Sequence, residues 1–143
     1  MRGRIPRQQT ELLKGVPIFS SCSRNELRAI AQLGSMVEVK EGTALTVKGK
    51  LGREFFLVLE GVAGCHVGRR EVRRFGPGEF FGEMALLYGG VRTADVIAKS
   101  EMRLLVLSSR EFQSMLMTTP VIDIKMLANL AQRLSDADDA YTA

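Results

Sequence analysis

The spacing of apolar positions changes twice along the chain. Leu27, Ile30, Ala31 and Leu33 recur at helical spacing. From Met36 the period shortens, with Val37 and Val39 alternating with Glu38 and Lys40. Short apolar runs follow at residues 43–47, 55–59, 62–67, 72–75, 93–98 and 102–107. Turn-forming or charged clusters separate them, such as Glu41-Gly42, Gly49-Lys50-Leu51-Gly52 and Gly76-Pro77-Gly78. Many short runs bounded by such residues predict an antiparallel sandwich, jelly roll or barrel. Beyond Ser108 the helical period returns.

Capping signals sharpen these boundaries. Residues 8–14 predict a short helix stopped by Gly15 and Pro17. Ser23 with Glu26, and Ser108 with Glu111, each have the Ser-x-x-Glu spacing of a capping box. Thr119-Pro120 opens a final helix whose predicted apolar stripe is Leu127, Leu130, Ala131 and Leu134. Met115, Met117 and Met126 are expected in the core. Helices, then strands, then helices make the chain α+β. One domain is expected over residues 1–143: a basic tail (1–7), N-terminal helices (8–34), strands (36–107), C-terminal helices (108–134) and a frayed end (135–143).

Length and composition agree with a single domain. A chain of 143 residues can bury a sizeable core without disulfides or metal. No apolar run approaches the ~20 residues of a membrane span, and no apolar stretch follows the basic start, so no signal peptide is read there. The 20 basic residues exceed the 16 acidic ones, but Arg2, Arg4 and Arg7 supply three of them. Without that tail the balance is 17 against 16, which argues against a phosphate-tracking surface. Arg69, Arg70, Arg73 and Arg74 are read as a solvated face of a hairpin. Cys22 and Cys65 show no paired spacing and fit a reducing, cytoplasmic setting. A single histidine, His66, argues against zinc hydrolases and metal-dependent jelly-roll enzymes.

The chemistry concentrates in residues 80–94, a long connection between two strand runs. Gly82 permits close backbone approach to a ligand. Residues 83–87 are fair helix formers and predict one short turn, whose free N–H groups would suit a phosphate. Arg92 offers a planar double donor, Glu83 an acceptor for a ribose hydroxyl, and Thr93 a further hydroxyl. These residues describe a loop able to hold a nucleotide's sugar and phosphate. By residue type alone, an ion pair between Glu83 and Arg92 that ties the loop down is the simpler reading.

The stretch Phe81-Gly82-Glu83-Met84-Ala85-Leu86-Leu87, four further residues, then Arg92-Thr93-Ala94 resembles the phosphate-binding cassette of the cyclic nucleotide-binding domain family. Leu12-Leu13-Lys14-Gly15-Val16-Pro17-Ile18-Phe19 resembles that family's opening segment, and residues 55–61 and 75–83 resemble its strand and turn pattern. The resemblance covers nearly the whole chain. It implies an antiparallel β jelly-roll barrel, flanked by helices at both ends, with the cassette at 81–94. It implies that Glu83 meets the ribose 2′-hydroxyl, Arg92 the cyclic phosphate, and the amides at Met84 and Ala85 the phosphate or ribose. Gly82 and Ala94 frame the cassette. Thr93 lies near the phosphate and can touch a guanine. Phe75 lines the base pocket, and Arg133 falls where some channel domains place a base-contacting arginine. The implied ligand is cAMP or cGMP, with cAMP expected, and no metal. Val91 departs from the proline that often precedes the arginine, and Asp95 from a common Ser or Thr.

The expected function is therefore a non-catalytic sensor, in which residues 118–134 move as a lid over the ligand. Its partners would be a cyclic nucleotide and either a protein effector or a second copy of the chain. Only nine residues follow Leu134, so a helix-turn-helix and direct DNA binding are not expected. The alternatives are a regulatory domain of a channel or other larger protein, and a degenerate scaffold.

Overall fold

The computed structural model describes residues 2–3, 10–87 and 90–142. The elements run β1 (Arg2–Gly3), α1 (Thr10–Lys14), a 3₁₀ turn (Pro17–Phe19), α2 (Arg24–Leu33), β2 (Ser35–Val39), β3 (Ala44–Thr46), β4 (Glu54–Glu60), β5 (Ala63–Val67) and β6 (Arg70–Phe75). They continue through β7 (Phe80–Phe81), α3 (Glu83–Leu87), β8 (Asp95–Ala98), β9 (Met102–Ser108), α4 (Ser109–Thr118) and α5 (Val121–Thr142). One sheet has the order β1-β2-β9-β4-β7 and the other β3-β8-β5-β6. Every pairing recorded between these strands is antiparallel. The jelly-roll expectation holds.

Strands β4 and β9 are the shared wall between two cores. Phe55, Leu57 and Leu59 of β4, with Leu105 and Leu107 of β9, face the helices. Phe56 and Val58, with Met102, Leu104 and Val106, face the opposite sheet. Both strands are buried on both faces, which is why their sequences are unbroken apolar runs rather than alternating ones. The helices are set by their caps. Ser23 accepts the Glu26 N–H at 3.1 Å while Glu26 accepts the Ser23 N–H at 2.8 Å. Ser108 and Glu111 repeat the arrangement at 3.2 and 2.7 Å.

Four expectations are corrected. The basic tail is not irregular throughout, because Arg2 and Gly3 form a short strand against Val37 and Met36. Strand β2 otherwise has an open edge, and backbone pairing there needs no apolar side chain. Arg4 and Arg7 lie outside the described residues. The last helix does not stop at Leu134, because α5 continues to Thr142. No Gly or Pro interrupts it, and Gln132 donates to Asp136 at 2.9 Å one turn on. The buried face of α5 is also not the predicted stripe. Ile122 and Met126 are buried, with Val121 and Leu130 packed beside them, whereas Leu127 and Leu134 are each 66% exposed. The helix carries two apolar faces, and spacing alone does not say which one turns inward. Met115 and Met126 lie in the core, but Met117 is 81% exposed.

Candidate functional site

The cassette is built on β7, α3 and the strand-like return at residues 90–92. β7 pairs with β4 through Phe81 and Phe56, whose rings stack at 4.9 Å. Gly82 follows at φ +95°, and a Cβ there would meet the Glu54 carbonyl oxygen at 2.8 Å and Arg92 Nη1 at 2.9 Å. Only glycine suits both the backbone and the space. Glu83 then starts α3, which places its side chain inward, 2% exposed.

A turn read in the sequence only as a spacer braces the far end of the cassette. The Gly49 N–H donates to the Arg92 carbonyl at 3.0 Å, the Arg92 N–H to Lys50 at 2.8 Å, and the Gly52 N–H to Gly90 at 3.2 Å. Asp95 joins this brace by accepting the Lys48 N–H at 2.7 Å. Its carboxylate is thereby committed to the turn rather than added to the cavity. Gly89 lies outside the described residues.

Arg92 is buried. Its Nη1 donates to the Gly82 carbonyl at 2.8 Å and its Nη2 to the Glu54 carbonyl at 2.6 Å. The expected structural ion pair with Glu83 does not form. Arg92 pins the two ends of the cassette to β4 through carbonyls, and two of its five N–H bonds serve those contacts. Glu83 pairs with Arg133 of α5 instead, Nη1 to Oε1 at 2.9 Å. Arg133 Nη2 also donates to the Phe80 carbonyl at 2.6 Å. The Arg133 guanidinium lies 4.5 Å from the centre of the Phe80 ring and 5.4 Å from that of Phe75.

These groups surround a cavity of about 150 Å³. Of the predicted residues, Phe75, Gly82, Glu83, Ala85, Arg92, Thr93, Ala94 and Arg133 line it. The side chain of Met84 lies outside the described residues. Thr46, Cys65, Phe81 and Val96 also line it, and sequence reasoning missed them. Their signal is parity: Cys65 stands two positions from the buried Ala63 on β5, so both face inward. Thr46 donates its hydroxyl to the Ala94 carbonyl at 2.9 Å.

The electrostatics of the cavity are unbalanced at two atoms. Glu83 Oε2 is buried and has no hydrogen-bond partner among the described residues, and neither has Arg133 Nε. Burial pushes the Glu83 carboxyl above the usual carboxylate range, while Arg133 beside it pulls the other way. Burial likewise lowers the guanidinium pKa of Arg92 and of Arg133. A buried acceptor without a donor is costly unless a donor from outside the chain, a water or a hydroxyl, reaches it. Among the described residues no cluster of His, Cys, Asp or Glu suits a metal, and no helix is long and apolar enough to cross a membrane.

The family model described as cyclic nucleotide-binding domain matches residues 36–119. The chain belongs to that family. It is 30% identical over 131 residues to a cyclic AMP receptor protein of Thermus thermophilus, covering 88% of this chain and 61% of the relative. The chain thus spans about three-fifths of that relative's length. Among solved structures, the regulatory domain of Toxoplasma gondii PKA with cAMP superposes with a TM-score of 0.74 at 26% identity, covering 91% of this chain and 50% of that one. The regulatory subunit of a cAMP-independent protein kinase A from Trypanosoma brucei superposes with a TM-score of 0.76 at 27% identity, covering 88% and 47%. Backbone similarity therefore extends to a protein described as cAMP-independent, and the ligand has to be argued from the residues in the cavity.

Proposed function

We propose that this domain binds a cyclic nucleotide, cAMP in preference to cGMP, and acts as a non-catalytic regulatory sensor. The observation that carries the reading is Glu83 Oε2, a buried acceptor without a donor among the described residues, in a cavity shared with Arg92 and Thr93. A ribose 2′-hydroxyl donates to Oε2. The single negative charge of a cyclic phosphate is met by Arg92, whose remaining N–H groups are free to donate, together with the amides at Met84 and Ala85. Thr93 adds a hydroxyl near the phosphate. Phe75 offers an aromatic surface to the base.

Arg133 turns occupancy into movement of the lid. It reaches from α5 to the other oxygen of the same carboxylate. A ligand hydroxyl at Oε2 changes the charge that Arg133 feels at Oε1, so ligand and α5 bias one another through a single side chain. The equilibrium between lid positions then shifts by the ligand's differential affinity for them. The relative named cyclic AMP receptor protein supports cAMP as the ligand. A protein effector, or a second copy of the chain, would read the lid position in the cytoplasm.

Isothermal titration calorimetry with cAMP and cGMP, on protein freed of co-purified nucleotide, tests the reading. Saturable binding with cAMP the tighter is expected. Absence of binding by both overturns it. Hydrogen exchange across residues 118–134 tests the lid: protection must change on adding ligand.

A further inference from the structure

Cys65 is the one group on the cavity wall with nucleophilic chemistry of its own that the proposed binding does not use. It lies on β5 between Val96 of β8 and Arg73 of β6, part-buried and unpaired. Its side chain lines the same cavity as Glu83, Arg92 and Arg133. Glu83 Oε2, unpartnered among the described residues, independently marks that cavity as a ligand site. An engineered apolar cavity of roughly the same volume takes up benzene, so a small ring reagent is of a size to reach the thiol.

We propose that Cys65 is a nucleotide-gated modification site for small, uncharged Michael acceptors. The thiolate sulfur forms a bond to the β-carbon of the acceptor, the alkene π pair moves to the enolate, and the enolate takes a proton from water. The thiol gives up its proton to solvent at the start, so charge and atoms balance without an oxidant. The adduct fills the space against which a ligand would pack, so adduct and cyclic nucleotide exclude each other. The gating half of this inference rests on the cyclic nucleotide reading.

Cys22 is a built-in control. It too is part-buried, and burial pushes both thiols up, so both react slowly at neutral pH. Cys22 packs against the helix-side core rather than the cavity. The full chain is treated with N-ethylmaleimide, with and without saturating cAMP or cGMP, and each cysteine peptide is quantified over time by mass spectrometry. Saturating nucleotide should slow Cys65 labelling at least tenfold and change Cys22 labelling less than twofold. On a Cys22→Ser background, the Cys65 adduct should lose at least tenfold in affinity while its circular dichroism stays that of the folded protein.

Calorimetric binding together with unprotected Cys65 overturns this inference and leaves the nucleotide reading standing. So does an adduct that still binds, or a Cys65 that fails to label in folded protein while Cys22 labels. Absence of calorimetric binding by both nucleotides overturns the gating and the nucleotide reading together.

Discussion

Arg133 Nη1 lies 2.9 Å from Glu83 Oε1, which ties the middle of α5 to the first residue of the cassette helix across 50 positions of sequence. The pair is largely buried, with 17% and 3% of the two side chains exposed. Removing one member of such a pair strands the other. Arg133→Met should therefore destabilise the domain by about 3–5 kcal/mol, read as a lowered urea midpoint at neutral pH. Arg133→Lys should recover only part of that loss, because an ammonium cannot hold Glu83 and the Phe80 carbonyl in one planar fork. A midpoint unchanged in Arg133→Met would show that the contact does not hold the helix.

The same carboxylate gives the stability a pH signature. Burial raises the Glu83 pKa above its ordinary value despite Arg133, so the folded state takes up the proton more readily than the unfolded one. Stability linked to Glu83 is then fully present below the ordinary carboxylate pKa. It is lost as pH rises through the raised folded value. Urea midpoints of the wild type relative to Glu83→Gln should increase as pH falls from neutral into the acid range. A flat difference across that window would contradict the raised pKa.

Arg92 has two expected roles that separate experimentally. Through its bonds to the Gly82 and Glu54 carbonyls, it holds the cassette on β4. Arg92→Ala should weaken cyclic nucleotide binding by at least ~1.5–3 kcal/mol, the usual cost of a lost charged hydrogen-bond partner. It should also lower stability by about 1–3 kcal/mol through the stranded carbonyls. Calorimetry reads the first effect and denaturation the second. Affinity unchanged in a folded Arg92→Ala protein would remove Arg92 from the phosphate site.

How much of this could be read from the chain follows from the range of each interaction. Both capping boxes, the cassette helix and the doubly buried runs at β4 and β9 are local or periodic signals, and they appear where the sequence predicts them. The Glu83–Arg133 pair is not local. Its partners are 50 residues apart, and the more obvious match, Glu83 with Arg92, is nearer in sequence but not made. The inward face of α5 is ambiguous for the same reason, since two apolar stripes compete and packing on the distant helix-side core chooses between them. The brace at residues 47–52 is not legible in the sequence because its bonds, apart from the one to Asp95, run backbone to backbone and carry no side-chain signature.

The choice of face on α5 makes a direct comparison possible. Met126 is 4% exposed and Leu127 66%. Met126→Ala should cost about 2–5 kcal/mol as a buried truncation. Leu127→Ala should stay within about 0.5 kcal/mol, like other exposed substitutions. Urea denaturation of the two variants decides it, and the reverse order would mean that the helix is rotated onto its other stripe.

Gly52 and Val91 test the brace from opposite directions. A Cβ at Gly52 would collide with the Ala85 side chain and come within 2.9 Å of Arg92 Nε. Gly52→Ala should therefore push the cassette off its turn, lowering stability by about 1–3 kcal/mol and weakening nucleotide binding with it. Val91 is bridged to Leu51, but the flanking hydrogen bonds belong to Gly90 and Arg92, whose partners are Gly52 and Lys50. The Val91 N–H is therefore outside that ladder, and a proline there removes no brace bond. Val91→Pro should stiffen the unliganded cassette and tighten binding by about 0.4–1 kcal/mol, or roughly two- to fivefold, with Arg92 still seated. Calorimetry on both variants reads the two shifts. If Val91→Pro binds more weakly than the wild type, the cassette needs its freedom at this position to close on the ligand.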